Sequence, residues 1–333
     1  MQAAQLLKYD RQFKLVVNDI PMPEPQCHEI LVQVKAAAVN PLDRLIGTGS
    51  VRLIQDYKRP VTMGNELAGV VTAVGSAVTQ FQAGDRVYTR LPLTKIGAFA
   101  EYVTIDQAAV ALMPAHLDFA QAAAVPLTGL TAYQALHEEL KAKAGESVLI
   151  PGGSGSFGQL AIPIAKQMGL TVLVSGNARG EANAKALGAD QYFDYRKTNY
   201  WEQVQAVDNV IDTLGAAELP HELATLKAGG TVLSLKAGPN RQFAQDHQFS
   251  AWKRGLFSLV GRKLDRQAQQ QNKHYRFMFV RSDGEQLRSV TDIVTGKQLV
   301  PAIEPTVFKL KDINAALDLV GSGHPKGKVI IRF

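Results

Sequence analysis

Cysteine is almost missing from this chain. Cys27 is the single one in 333 residues, so no intramolecular disulfide can form and the sequence fits a reducing compartment. The spacings that hold metal ions are missing as well. C-x-x-C, H-x-x-x-H and H-E-x-x-H do not occur, and the seven histidines, at 28, 116, 137, 221, 247, 274 and 324, never fall three to five residues apart. No apolar run reaches the roughly 18 residues that a transmembrane helix needs, so no membrane span is expected. The N-terminal stretch MQAAQLLKYDRQFKLVVND carries charges throughout and has no apolar signal core. A cytoplasmic location is the default expectation. Internal repeats and low-complexity linkers are also wanting.

What is there is the composition of an ordinary globular protein, 46% hydrophobic and 20% charged, long enough for two domains. The net charge of +6 is unevenly spread. Lys253, Arg254, Arg262, Lys263, Arg266, Lys273, Arg276 and Arg281 face only Asp265 and Asp283 over one stretch. Such a run can be a nucleic-acid footprint. It is read here as a solvated helical surface, or a field drawing in an anionic cofactor, because aromatics are not interleaved as single-strand binders require.

The first 120 residues have the texture of β-structure. In EILVQVKAAAV, Ile30, Val32 and Val34 share one face and Glu29, Gln33 and Lys35 the other. Past Phe119 the texture changes: FAQAAAVPLTGLTAYQALHEEL is alanine-rich and helical in period, with Asp118 placed as an N-cap. Strands and helices then alternate through SVLIPG, FGQLAIPIAKQMG, TVLVSG, EANAKALGA, QYFDY, NVIDTLG and TVLSLKAG, the rhythm of a covered parallel sheet. A helical stretch from Gly284 to Thr295 and a final strand in GKVIIRF form a tail too short to fold alone.

VLIPGGSGSFGQLAIPIAK sets Gly153, Gly155 and Gly158 in a G-x-G-x-x-G turn between a strand and a helix. Alone the pattern is weak; in this context glycines let the backbone approach a pyrophosphate, and the helix N-terminus supplies unpaired amides. The bland reading is a ligand-free βα turn. At the end of the next strand an NAD site would carry an acid. Here Ser175, Gly176 and Asn177 stand in its place, followed by Arg179. A hydroxyl and a guanidinium favour the 2′-phosphate of NADPH; the alternative is that Arg179 decorates a loop.

These stretches, with AAAVNPLDRLIG (an N-P-x-D signature), MGNELAGVVTAVGSAVTQFQAGDRV, GAFAEYV, AAAVPLTGLTAYQAL and LKDINAALDLVGSGHPKGKVII, resemble the medium-chain dehydrogenases/reductases, in the zinc-independent quinone oxidoreductase and enone reductase branch. The resemblance covers essentially the whole chain. It implies an α/β fold: a doubly wound Rossmann sheet plus a GroES-like, mostly-β catalytic domain. The expected boundaries are 1–120 for the first part of the catalytic domain, 121–280 for the NADP(H)-binding domain and 281–333 for the return. A homodimer joined along the sheet edge at RFMFV is implied too.

Zinc-dependent relatives read G-H-E where this chain has Gly64-Asn65-Glu66, and carry a cysteine where Ala38-Val39-Asn40 stands here. Amides are poor zinc ligands, so no metal is expected and Glu66 is read as structural, pairing with backbone or a nearby cation. Without a Lewis acid, conjugated enones or quinones are the expected substrates, since hydride at one end places charge on a distant oxygen. The resemblance puts Asn40 and Thr128 near the nicotinamide. Arg52 is added as a cation in the variable loop that could steady an enolate, or else is a surface arginine. The cofactor-binding set is Gly153, Gly155, Ser156, Phe157, Gly158, Ser175, Asn177, Arg179, Tyr195, Leu214, Gly215 and Lys328. Several quinone reductases have a tyrosine just past the N-P-x-D aspartate; Arg44-Leu45-Ile46 in its place leaves room for enones. Two other readings stay open: an NADPH-binding regulatory or nucleic-acid-binding protein, and a zinc alcohol dehydrogenase with unrecognised ligands.

Overall fold

Alternation of apolar and polar side chains draws strands from the first third of the chain. In the computed structural model, which describes residues 1–323 and 325–333, these are β1 (Gln2–Leu6), β2 (Val16–Asp19), β3 (Glu29–Val39), β4 (Val61–Thr62), β5 (Glu66–Val74), β6 (Arg86–Arg90), β7 (Tyr102–Asp106) and β8 (Val110–Leu112). One short helix, α1 (Pro41–Gly47), follows β3. Ile30, Val32 and Val34 of β3 are buried, and Glu29, Gln33 and Lys35 only partly so. Gly69 lets β5 approach β3 closely: a Cβ there would lie 2.2 Å from the Gln33 carbonyl oxygen.

The alanine-rich stretch is helical, but in pieces. Asp118 caps α2 (Phe119–Ala123), accepting from the Gln121 amide at 2.7 Å. The helix stops short of Val125 and resumes as α3 (Pro126–Gln134), which runs into a wide π-type turn over Ala135–Glu139. Pro126 accounts for the break: it disfavours the α conformation at the residue before it and suits the first position of a new helix.

Next come β9 (Ser147–Ile150), α4 (Ser156–Gln167), β10 (Thr171–Gly176), α5 (Glu181–Ala186), β11 (Gln191–Asp194), α6 (Tyr200–Gln203), β12 (Val207–Asp212), α7 (Leu219–Thr225), β13 (Leu226–Ser234), α8 (Arg241–Asp246), α9 (Ala251–Gln269) and β14 (His274–Phe277). The six strands pair in parallel in the order β11-β10-β9-β12-β13-β14, with the switch in winding between β9 and β12. Leu149, Val210, Leu223 and Val232 lie fully buried in this core. α9 carries much of the basic stretch; it buries Phe257, Gly261, Leu264 and Ala268 and leaves Arg254, Arg262, Lys263 and Arg266 exposed.

The chain returns through α10 (Gly284–Gly296), β15 (Phe308–Lys309), α11 (Ile313–Ser322) and β16 (Val329–Arg332). Two units result, Met1–Leu130 with Arg281–Phe333, and Thr131–Val280. In the first, one sheet runs β15-β16-β3-β5-β6-β8 with β7 also on β3, and a smaller one runs β2-β1-β4. Among the described residues, no helix is long and apolar enough to cross a membrane.

Candidate active site

Sheet register gathers a row of polar side chains at one end of the first unit's main sheet. Val329 at the start of β16 faces Val39, Ala38 faces Glu66, and Glu66 faces Arg90. Asn40 and Lys328, just outside their strands, extend this row. All of these polar residues are buried.

Burial demands partners, and most of the groups have them. The Lys328 ammonium donates to Asn40 Oδ1 at 2.6 Å and to Thr128 Oγ1 at 3.2 Å, and pairs with Glu66 Oε1 at 2.7 Å. Asn40 Nδ2 donates to Glu66 Oε1 at 2.9 Å and to the Ala38 carbonyl at 3.3 Å. Glu66 Oε2 accepts the Leu127 backbone amide at 2.7 Å, one of the unpaired N–H groups that open α3. Glu66 therefore ties Lys328, Asn40 and the helix carrying Thr128 to one carboxylate. Its expected structural pairing with backbone and a cation is what the geometry shows.

Asp43 sits beside this group on α1. One oxygen accepts from the Asn40 amide and the other from Asn65 Nδ2, both at 2.7 Å. Burial pushes its carboxyl up to about 7, while those two donors pull it back. Arg90 is wholly buried; Nη1 donates to the Leu91 carbonyl, and Nε and Nη2 have no partner among the described residues. Burial lowers its guanidinium to about 10, which leaves it charged at neutral pH. Arg52 is not brought here. It is half exposed, lies 3.4 Å from Asp56 and sits over the Tyr9 ring.

In the second unit the glycine turn joins β9 to α4. A Cβ at Gly158 would lie 1.7 Å from the Gly153 carbonyl oxygen, so this glycine lets the helix pack on its own turn. A Cβ at Gly155 would meet only the Gly152 carbonyl oxygen, at 3.8 Å. Gly155 is also the N-cap of α4 and offers no side chain to its first amides, where Ser156, Phe157 and Gly158 stand. An exposed backbone corner before unsatisfied amides is what a pyrophosphate needs, so this turn fits a dinucleotide.

β10 ends in Ser175, which is buried, and Gly176. Asn177 Oδ1 accepts the Arg179 amide at 3.0 Å, so this asparagine shapes the loop. The Arg179 guanidinium is exposed and has no side-chain partner among the described residues. Tyr195, 56% exposed, follows β11, which pairs with β10. Arg196 stands over its ring at 5.9 Å, a second cation that the sequence reading passed over although it directly follows Tyr195. At the end of β12, Asp212 accepts the amides of Leu214 and Gly215 at 2.6 and 2.7 Å, and this holds their turn in place. Lys328 belongs to the polar row of the first unit.

The buried roles of two further residues carried no signal in the sequence. Asp43 lies within the N-P-x-D stretch, yet nothing marked its burial, and Arg90 ends a strand as many surface arginines do. Among the described residues, no group of three or more His, Cys, Asp or Glu side chains is placed to hold a metal ion.

Known proteins agree with this architecture. The alcohol dehydrogenase GroES-like domain matches residues 26–115, and the zinc-binding dehydrogenase family matches residues 187–331. Human quinone oxidoreductase is 36% identical over 227 residues, 65% of this chain and 67% of that protein. The chloroplastic NADPH-dependent alkenal/one oxidoreductase of Arabidopsis thaliana is 29% identical over 323 residues, covering 94% and 74%. The solved quinone oxidoreductase of Coxiella burnetii superposes with a TM-score of 0.81 at 28% identity, covering 100% of this chain and 99% of that one.

Proposed function

This chain belongs to the medium-chain dehydrogenase/reductase superfamily, in the branch of quinone oxidoreductases and alkenal/one reductases, and on that premise we propose that it reduces a quinone or an α,β-unsaturated carbonyl with NADPH, without a metal. The observation that carries the reading is the buried row of Asn40, Glu66 and Lys328 with Thr128, a fixed cation–carboxylate pair among neutral side chains, beside Asn65, which stands where zinc-dependent relatives have a histidine ligand. NADPH is supported by Ser175 and Arg179 in place of an acid at the end of β10, and by the NADPH dependence named for the Arabidopsis relative.

When bound, the dinucleotide supplies hydride. The chain's own work is to hold both reactants and to stabilise the oxygen that becomes negative. The turn of Gly153, Gly155 and Gly158 with the first amides of α4 binds the pyrophosphate; Ser175, Arg179 and Tyr195 bind the 2′-phosphate. Asn40 and Thr128 adjoin the nicotinamide and substrate. A simple ketone takes hydride at the carbonyl carbon itself and needs strong polarisation there; a conjugated acceptor is more electrophilic and needs only hydrogen-bond donors at a remote oxygen. The test is a panel of quinones, cyclic enones, 2-alkenals and saturated ketones, followed by NADPH absorbance. Turnover of the conjugated acceptors with NADPH over NADH is expected, and reduction of saturated ketones alone would overturn the reading.

A further inference from the structure

Reducing a conjugated acceptor leaves one task unassigned: which atom meets the oxygen as it turns negative. Lys328 looks like the natural choice, but its three ammonium hydrogens already have three acceptors, Asn40 Oδ1, Glu66 Oε1 and Thr128 Oγ1. Both Nδ2 hydrogens of Asn40 are engaged too, by Glu66 and the Ala38 carbonyl. A lysine donates only, so Thr128 must accept through an oxygen lone pair, and its own hydrogen then points away from Lys328. Thr128 makes no other side-chain hydrogen bond among the described residues. Of the donors on these three side chains, the Thr128 O–H is the one left over. Access agrees: Thr128 and Lys328 keep 6% and 7% of their surface, while Glu66 and Arg90 keep none.

We propose that Thr128 is the catalytic hydrogen-bond donor to the substrate's carbonyl oxygen, that the buried Lys328 ammonium polarises it, and that Glu66 positions both. This rests on the quinone or enone reading above. The substrate gains hydride at the β-carbon, the C=C pair moves toward oxygen, and the enolate oxygen shortens its bond to Thr128 Oγ. A proton from water then reaches the α-carbon of an enone; in a quinone it reaches the oxygen, after which the ring carbon that took hydride releases a proton to water and the second oxygen gains one, which gives the hydroquinone, and Thr128 keeps its own. An ammonium acting through a hydroxyl takes the place of a metal as electrophile. Glu66 gives the arrangement its geometry, since one carboxylate holds Lys328 by Oε1 and the N-terminus of α3, one residue before Thr128, by Oε2.

The experiment compares wild type with Thr128→Ser, Thr128→Val, Lys328→Arg, Lys328→Met and the Thr128→Val/Lys328→Met double variant. It has two readouts: single-turnover hydride transfer to enones of graded electrophilicity, and the affinity of a cyclic 1,3-dione enolate, which imitates the charged oxygen without reacting. Thr128→Val should slow transfer on the order of 100-fold. It should lose enolate affinity far more than enone affinity, with the largest loss on the least electrophilic enone. Thr128→Ser should retain most of both. Lys328→Met should match Thr128→Val, and the double variant should be no worse than either. Additive losses, or a Thr128→Val enzyme with wild-type rates and enolate affinity, would overturn the proposal. Should Lys328→Met fail to fold, with Glu66 left buried and unpaired, the two Thr128 variants and Lys328→Arg decide alone. A wild type that reduces no conjugated acceptor would instead overturn the functional reading, and this assignment with it; the enolate titration separates the two failures.

Discussion

Asp43 folds into a fully buried place, between the Asn40 backbone amide and the Asn65 carboxamide, and its carboxyl rises from an ordinary 3.8 to about 7. Between those values the folded protein holds a proton that the unfolded chain has released, so folding is favoured on the acid side. This contribution is full below about pH 4 and is lost as pH rises to about 7. Its total is about 4 kcal/mol. The Asn65 amide explains how both forms fit. With Asp43 ionised, Nδ2 donates and Asn65 Oδ1 is buried with no partner among the described residues; a protonated Asp43 would find its acceptor in that oxygen if the amide turned over. Urea unfolding of wild type and Asp43→Asn at pH 5 and pH 7.5 checks this: the variant should show a flatter loss of stability with pH, and parallel slopes would remove Asp43 as the cause. At the other unit, Arg179→Ala should weaken NADPH binding about ten- to a hundredfold and leave NADH almost unaffected. Equal losses for both cofactors would mean a structural effect. No loss for either would remove Arg179 and leave Ser175, Tyr195 and the adjacent Arg196 as the phosphate contacts. The chemistry of Ser175 and Arg179 was legible because residue type alone distinguishes a 2′-phosphate from a 2′-hydroxyl. Arg90 and Asp43 were not, because a sequence gives charge without giving burial.

Elements show the same division between pattern and consequence. The period of FAQAAAVPLTGLTAYQALHEEL announced a helix, and helix formed; Pro126 then cut it, so that a second N-terminus opens at Leu127 and gives its amide to Glu66. The proline was visible in the sequence, but its target was not, because Glu66 lies 61 residues away. In the glycine turn, pattern and role coincide, and two substitutions separate binding from folding. Gly155→Val adds a side chain where a Cβ meets nothing closer than 3.8 Å, so the melting temperature should hold while dinucleotide binding is lost. Gly158→Ala puts a Cβ 1.7 Å from a backbone oxygen and should cost a few kcal/mol of stability. NADPH fluorescence titration beside thermal melts reads both. A Gly155→Val protein that binds NADPH as wild type does would show that the pyrophosphate lies elsewhere.

At the scale of the whole molecule, the order of elements was the most legible feature: strand-rich, then alternating, then a short return, with the unit from Thr131 to Val280 carrying the six-stranded parallel sheet. Which ends of which strands would meet was not legible, since register depends on bulges such as those between β3 and β5 that no periodicity announces. That register decides the last prediction, that catalysis needs no metal. It places Asn40 and Lys328 beside Glu66 and turns Asn65 Nδ2 to Asp43, so Asn40 Oδ1 is taken by the fixed Lys328 ammonium, which also stands within hydrogen-bond distance of the carboxylate. A divalent cation entering there would meet the positive charge of Lys328, with Arg90 facing Glu66 on the neighbouring strand, and would have to displace Lys328 from Glu66. Exhaustive dialysis against a strong chelator should therefore leave the rate of enone reduction by NADPH unchanged, and added zinc should not raise it. Metal analysis of the purified protein by mass spectrometry, run beside the kinetics, tests the same point independently. Zinc bound one per chain, whose removal abolishes turnover and whose return restores it, would mean that the Lys328–Glu66 pair opens in solution and that the electrophile is the metal after all.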